Sequence, residues 1–180
     1  MHASGRRRQS GLTMVESLMT TLVGSLLVLL TLPGLMDAKD KHRIDSLVAQ
    51  IESELQYARS EAVARGDTVR VRFVTDPQGG TCYVMHTGSP RECTCRADGS
   101  ASCTGDGQVL RSVPHQALQR IRLTSSASEI GFDATHGTVT PTTTLRLENP
   151  RGDRVNLVVN IMGRLRTCSP EGATAGYARC

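Results

Sequence analysis

Tryptophan is absent from the 180-residue chain, and two phenylalanines with three tyrosines hold the aromatic fraction to 3%. A platform of exposed rings, on which successive bases of single-stranded nucleic acid stack, therefore has no raw material. Charge of one sign is also scarce. Lys plus Arg number 21 against 17 Asp plus Glu, and Arg6, Arg7 and Arg8 supply three of those cations within the first eleven residues. Removing them leaves 18 against 17, or +1, so no global field draws the chain to nucleic acid and only a local basic patch could. His2, His42, His86, His115 and His136 are scattered, and none joins a nucleophile and an orienting acid in a motif. Catalysis has no visible seat, the chain is read as no enzyme, and no cofactor is expected. The length suits one domain, or one domain plus an appendage.

Long apolar runs are absent except for one. Leu12 to Leu35 read LTMVESLMTTLVGSLLVLLTLPGL, after the basic MHASGRRRQSG and before the charged DAKDKHR. As a helix these 24 residues would extend roughly 36 Å, enough to cross a bilayer core. The basic flank would keep the N-terminal end cytoplasmic and send everything after Leu35 outward. A secretory signal peptide shares the charged start and apolar middle. Against it stand Glu16, a charge placed where charges are costly and usually functional, and Leu35-Met36-Asp37-Ala38, which offers no small-x-small cleavage site. A plain membrane anchor that tolerates one acid is the other simple alternative.

The string Ser10-Gly11-Leu12-Thr13-Met14-Val15-Glu16-Ser17-Leu18 resembles the prepilin leader of type IV pilins and type II secretion pseudopilins. The resemblance implies a cut between Gly11 and Leu12 by prepilin peptidase and methylation of the new terminus. It makes Glu16 the fifth residue of the mature chain, where the family carries its acid; Leu12 departs from the usual Phe or Met. In a poorly hydrated helical bundle a carboxylate needs a cationic partner, which the new amino terminus of the same or a neighbouring subunit can provide.

Past the span, Pro33-Gly34 predicts a kink or break. Ile44, Leu47, Val48, Ile51, Leu55, Ala58, Ala62 and Val63 then recur at three- and four-residue spacings, an apolar helical stripe ending near Arg65 with Gly66 as its C-cap. Lys41, Arg43, Glu52 and Glu54 are expected toward water. After Gly66 the period changes to two. Val69 to Val74 and Cys82 to Thr87 predict a hairpin about the turn Asp76 to Gly80, and further strands are expected near 119–123, 129–132, 143–147 and 155–161. One long helix followed by consecutive strands is the order of an α+β domain with an antiparallel sheet. The segments Gln56 to Arg65 and Asn160 to Cys168 look like the two most recognisable stretches of the GspH/FimT branch of pseudopilins and minor pilins. The resemblance implies a leader at 1–11, a transmembrane and assembly helix at 12–35, an amphipathic continuation at 36–66, and an extracytoplasmic β head at 67–180. Its implied partners are other pilins and pseudopilins, the prepilin peptidase and the inner membrane, in a pilus or pseudopilus.

Cys82, Cys93, Cys95, Cys103, Cys168 and Cys180 all follow the span, which would place them in an oxidising compartment where disulfides are the ordinary state. Sequence leaves many connectivities open. Cys168 with Cys180 would close a small loop rich in Gly and Ala, and the other four would staple the segment from Cys82 to Cys103. A metal set drawn from Cys93, Cys95, Cys103 and His86 is disfavoured, because C-x-C is not the usual C-x2-C and thiolates survive poorly outside the cytosol. Gly163-Arg164-Leu165-Arg166 is the one basic feature with a sharp implication. If the strand from Val155 continues, Arg164 and Arg166 share a face, where two guanidinium groups could hold successive phosphates. In transformation-linked members of the resembled family a G-R-x-R motif is associated with extracellular DNA. Between Thr140 and Cys180 six arginines (146, 151, 154, 164, 166, 179) face three acids (Glu148, Asp153, Glu171), an excess of +3. Alternating arginines on a solvated strand face, or guarding an edge, are the simpler alternative. The primary expectation is a structural minor pilin or pseudopilin; a DNA-binding minor pilin for uptake is the second.

Overall fold

The computed structural model describes residues 13–75, 80–96, 98–115, 121–172 and 174–180, the side chains of 29–38 and 115 excepted. Gly11 and Leu12 lie outside the described residues. The chain divides into two units, Met1–Lys41 and His42–Cys180, and one helix, α1 (Met14–Arg65), contributes to both. Among the described residues no helix is long and apolar enough to cross a membrane.

Helix α1 opens on a cap: Thr13 Oγ1 accepts the Glu16 amide at 3.3 Å, and the Thr13 carbonyl accepts the Ser17 amide at 3.1 Å. At Pro33-Gly34, where a kink or break is expected, the helix does not break. A proline inside a helix removes one backbone donor, and the remaining rungs of the ladder carry the element past it. The helix ends where expected. Gly66 takes φ +65°, its amide reaches the Val63 carbonyl at 3.3 Å, and the Asp67 amide reaches Ala62 at 3.3 Å, the paired bonds of a Schellman motif.

The unit His42–Cys180 has its own core. From the helix come Ile44, Leu47, Val48, Ile51, Leu55, Ala58 and Ala62, all buried. The helix departs from expectation at Val63 and Glu54. Val63 is 59% exposed, since it stands about 100° round the helix from Ala62. Glu54, expected toward water, is buried, because Arg111 covers it: Nη2 lies 2.9 Å from Glu54 Oε1, and the same guanidinium sits 5.9 Å from the centre of the Tyr57 ring.

Two antiparallel sheets complete the core. The first has the order β5-β2-β1-β7-β8, with β1 (Val69–Thr75), β2 (Thr81–His86), β5 (Val109–His115), β7 (Glu129–Phe132) and β8 (Val139–Thr140). The second has the order β11-β10-β9-β6, with β6 (Arg122–Ser125), β9 (Thr143–Glu148), β10 (Arg154–Val159) and β11 (Leu165–Cys168). Val69, Val71, Tyr83, Met85, Ile130 and Phe132 from the first meet Leu123, Leu145, Leu147, Val155, Leu157 and Val159 from the second in the same cluster as the helical stripe. With so few rings, aliphatic side chains fill this space.

Every residue of β2 is buried, whereas a strand at a solvated sheet face would alternate. The reason is an excursion between β2 and β5 that carries the small hairpin β3 (Cys93–Cys95) and β4 (Ala101–Cys103). Cys82–Cys95 and Cys93–Cys103 staple it, and Cys82, Val84, Cys93 and Cys95 form a second apolar cluster on the far side of the first sheet. Arginines of β1 hold it down: Arg70 Nε donates to Gly88 O at 2.9 Å, and Arg72 Nη1 donates to Arg91 O at 2.8 Å and Cys93 O at 2.9 Å. Each disulfide of this loop size is worth about 3 kcal/mol in the chain-entropy account, which matters for a lean core.

Within the excursion, Glu92 accepts the Ser89 amide at 2.6 Å, and the amides of Gly107 and Asp106 also donate to its carboxylate. These bonds, the one from Ser89 foremost, hold its pKa below the usual carboxylate value. For a depressed carboxylate the stabilisation is complete above the ordinary pKa and is lost as pH falls through the lowered one. Amide exchange at Ser89 and Gly107, corrected for intrinsic rates, should therefore accelerate on acidification from about pH 5 to about pH 3. Glu92→Gln should abolish that pH dependence, and an unchanged profile in the variant would show that another group controls the loop.

Candidate functional site

From Thr13 to Val28 every residue of the helix is exposed, including Met14, Val15, Leu18, Met19, Leu22, Val23, Leu26, Leu27 and Val28. The polar side chains along this stretch satisfy themselves. Ser17 Oγ donates to Thr13 O at 3.4 Å, Thr20 to Ser17 O at 3.0 Å, Thr21 to Ser17 O at 2.9 Å and Ser25 to Leu22 O at 2.9 Å. Back-bonding of this kind removes hydroxyls from any need for water. Glu16 is different. Among the described residues its carboxylate is the one side-chain polar group between 13 and 28 without an internal partner. Its place in the first helical turn is electrostatically favourable, since the positive end of the helix dipole lies there.

The Gly163 segment has a different shape from the one expected. The strand from Val155 does not continue to Arg166: β10 ends at Val159, the chain turns, and β11 returns antiparallel, with Val158 opposite Arg166 and Val159 opposite Leu165. Turn chemistry explains the reversal. Asn160 Oδ1 accepts the amides of Met162 at 3.0 Å and Arg164 at 2.9 Å, and Gly163 N donates to Asn160 O at 2.9 Å. Asn160 N donates to Arg164 O at 3.2 Å, and Gly163 takes φ +69°. This is a three-residue hairpin loop whose last position must be left-handed, which is why glycine occupies it. Arg164 and Arg166 are exposed, Leu165 is half-buried, and Ile161 and Met162 stand out at 54% and 62% exposure. Among the described residues no carboxylate pairs with Arg164 or Arg166.

The hairpin is anchored to its neighbours. Val139 N of β8 donates to Ile161 O at 2.8 Å. Gly163 is buried, and a Cβ added there would meet Arg59 Nη1, Gly137 O and Val139 Cγ2, each at 3.4 Å. Arg59 belongs to the helical segment 56–65, so the two stretches singled out in the sequence are brought together in space. Farther along, Cys168 is bridged to Cys180, and the loop between them is pinned to the helix by Tyr177, whose hydroxyl donates to Asp45 Oδ1 at 2.8 Å. Burial, then this bond to a carboxylate, pushes the Tyr177 hydroxyl above its ordinary pKa.

All six cysteines are in disulfides, so Cys93, Cys95 and Cys103 offer no thiolates beside His86. His86 is fully buried under the excursion, its Nδ1 3.0 Å from Thr87 O and its Nε2 3.7 Å from Glu129 Oε2. Sequence reasoning missed a further basic surface: Arg122, Arg146 and Arg154 line a groove of about 460 Å³ with Thr124, Glu148 and Asn156. Its only advance signal was the arginine excess between Thr140 and Cys180.

One long helix whose C-terminal half packs with antiparallel sheets in a disulfide-stapled head defines a pilin-like α+β protein. Residues 47–163, well over half of the chain, match the family described as Type II transport protein GspH, and the chain belongs to it. With that family it is a minor pilin or pseudopilin of a type II secretion system or a type IV pilus, and membership implies association with other pilins and pseudopilins. The type IV minor pilin FimU of Pseudomonas aeruginosa is similar in two crystal forms, both 19% identical, with TM-scores of 0.50 and 0.49. Those alignments cover 71% of this chain and 92% and 97% of FimU. The minor pseudopilin EpsH from the Type 2 Secretion System of Vibrio cholerae is 16% identical with a TM-score of 0.44, over 70% of this chain and 96% of EpsH. At this identity the likeness to FimU shows the fold alone. No curated protein matches the chain.

Because Gly163 is both left-handed and closely surrounded, Gly163→Ala should destabilise the protein by about 1–2 kcal/mol, the cost of that backbone region for a residue with a Cβ. The denaturant midpoint measures this. No shift would mean that the turn can relax without the glycine.

Proposed function

We propose that the chain is made as a prepilin, cut between Gly11 and Leu12 by the prepilin peptidase, and methylated at Leu12. Residues 12–35 hold it in the inner membrane with the head, 67–180, in the periplasm, and residues 36–66 carry the helix into the head. It joins other pilins and pseudopilins in a pilus or pseudopilus through packing of the N-terminal helices, with Glu16 setting register against a cationic terminus. One observation supports this most: among the described residues 13–28, exposed and largely apolar, the hydroxyls are satisfied internally and Glu16 alone lacks an internal partner. In a bundle with little water such a carboxylate is costly unless paired. Mass spectrometry of the native polypeptide should find a terminus at Leu12 with one added methyl group. Glu16→Ala should leave cleavage intact and impair entry into the filament. A native chain that keeps Arg6 to Arg8, or a variant that is incorporated normally, would overturn the corresponding step.

The exposed, carboxylate-free Arg164 and Arg166 favour a second reading, that the head binds extracellular DNA during uptake. Phosphate contacts by arginine are salt-dependent and independent of sequence. The full chain in nonionic detergent should retard duplex DNA at low salt, and Arg164→Gln with Arg166→Gln should weaken the retardation. Binding that ignores both substitutions would defeat this reading and leave the assembly role untouched.

A further inference from the structure

Register places more arginines beside Arg166 than the motif contains. Residues directly opposite each other on antiparallel strands share a face. Across the second sheet, Arg122 of β6 lies opposite Glu148 of β9, which lies opposite Arg154 of β10. In the next row Thr124, Arg146, Asn156 and Cys168 are partners, and in the row after that Thr144, Val158 and Arg166. Leu123, Leu145, Leu147, Leu157 and Val159 point the other way into the core. The outward face therefore carries four arginines from four strands, all exposed, against one carboxylate, Glu148, which Arg154 engages at 3.1 Å. Among the described residues no carboxylate pairs with Arg122 or Arg146.

The chemistry of this face selects among partners. A stable protein interface needs apolar or aromatic anchors at its centre, and the apolar groups of this face are half-buried Val158 and Cys168, which is buried in its bridge to Cys180, amid Arg, Thr and Asn. Single-stranded nucleic acid needs rings for base stacking. Phe132 and Tyr83 are buried in the core, and no aromatic residue lies in these rows. What remains is a surface of guanidinium forks and hydrogen-bond donors, which suits a repeating phosphate backbone. From β6 to β11 is three strand spacings, about 14 Å, so one phosphate group cannot satisfy it and a chain of them can.

We propose that the outward face of β6, β9, β10 and β11 is a phosphodiester-binding surface for duplex nucleic acid, with Arg122 and Arg146 as contacts outside the Gly163–Arg166 hairpin and Glu148 as an opposing charge. The proposal rests on the second reading above, and extends the contact surface from one hairpin to a sheet. Glu148 keeps affinity below what the arginines alone would give, because it neutralises Arg154 and repels phosphate.

The test is retardation of a short duplex by the full chain in nonionic detergent, across a salt series, with polyglutamate as competitor. Arg122→Gln and Arg146→Gln should each weaken binding several-fold at low salt and reduce the slope of log affinity against log salt by about one unit. Arg146→Lys should recover most of the loss, Glu148→Gln should bind more tightly than the unmodified chain, and duplex should be preferred to the same length of single strand. If Arg164→Gln and Arg166→Gln weaken binding while Arg122→Gln and Arg146→Gln do not, the sheet face is wrong and the hairpin reading stands. If nothing is retarded, or no arginine matters, both fail. Competition by polyglutamate equal to that of duplex, charge for charge, would assign the face to an acidic protein and overturn the proposal.

Discussion

The head depends on the stripe from Ile44 to Ala62, which shares a single core cluster with the inward faces of both sheets. Every side chain in it is aliphatic, and the sheets add only Tyr83 and Phe132 as buried rings. Area burial is the main source of stability, at roughly 25 cal/mol per Å² of apolar surface, and small residues contribute little of it each. Ala58 and Ala62 are fully buried. Their value is in close approach, which lets the final turns of the helix sit near β8 and the β10–β11 hairpin, where Arg59 reaches Gly137 and Gly163.

A core of this kind benefits from cross-links placed where it is thinnest. One pair of disulfides fastens an excursion over the outer side of β2, converting a strand that would have been half-solvated into one buried on both faces. The third closes the C-terminal loop, and Tyr177 ties that loop back to the helix through Asp45. In the chain-entropy account the disulfides also restrict the unfolded chain, which suits a core with so few rings. The arginines of β1 serve the same end by a different route. Arg70 and Arg72 alternate outward from Val69 and Val71, and instead of meeting solvent they donate to carbonyls of the excursion.

The α+β order, the helix end at Gly66 and the strands at 69–75, 81–86, 129–132 and 143–148 were legible because each rests on local signals: a period change, a glycine cap, alternation. Pro33-Gly34 does not end the helix, since proline's local penalty does not decide a helix held by its other rungs. Glu54 misled because helical periodicity says nothing of which strand end will cover a flank, and Arg111 comes from a strand that periodicity did not reveal. The hairpin at 160–164 was hidden by a similar gap: Asn160 and Gly163 have the right chemistry for a three-residue loop, but the apolar Ile161 and Met162 between them read as strand. The groove formed by Arg122, Arg146 and Arg154 was signalled only by an excess of arginine, because pairing between β6, β9 and β10 is a property of topology and no local pattern encodes it.

The same distinction separates the two units of the chain. Between 13 and 28 the chemistry is local: apolar side chains, hydroxyls that return to their own helix, and one acid three residues past the capping threonine. That Glu16 lacks an internal partner among the described residues is visible from its own helical turns. In the head, the arginines acquire meaning only through register. Arg146 and Arg166 are twenty positions apart in the chain and are brought to one face because Asn156 and Val158 alternate between β9 and β11 in the intervening strand. A one-residue slip of β10 would turn Leu157 outward and scatter that face, while the core would lose Val155 and Val159 with it. Packing of the aliphatic core and alignment of the basic face are thus enforced by a single register, so the charged surface is specified as firmly as the interior behind it.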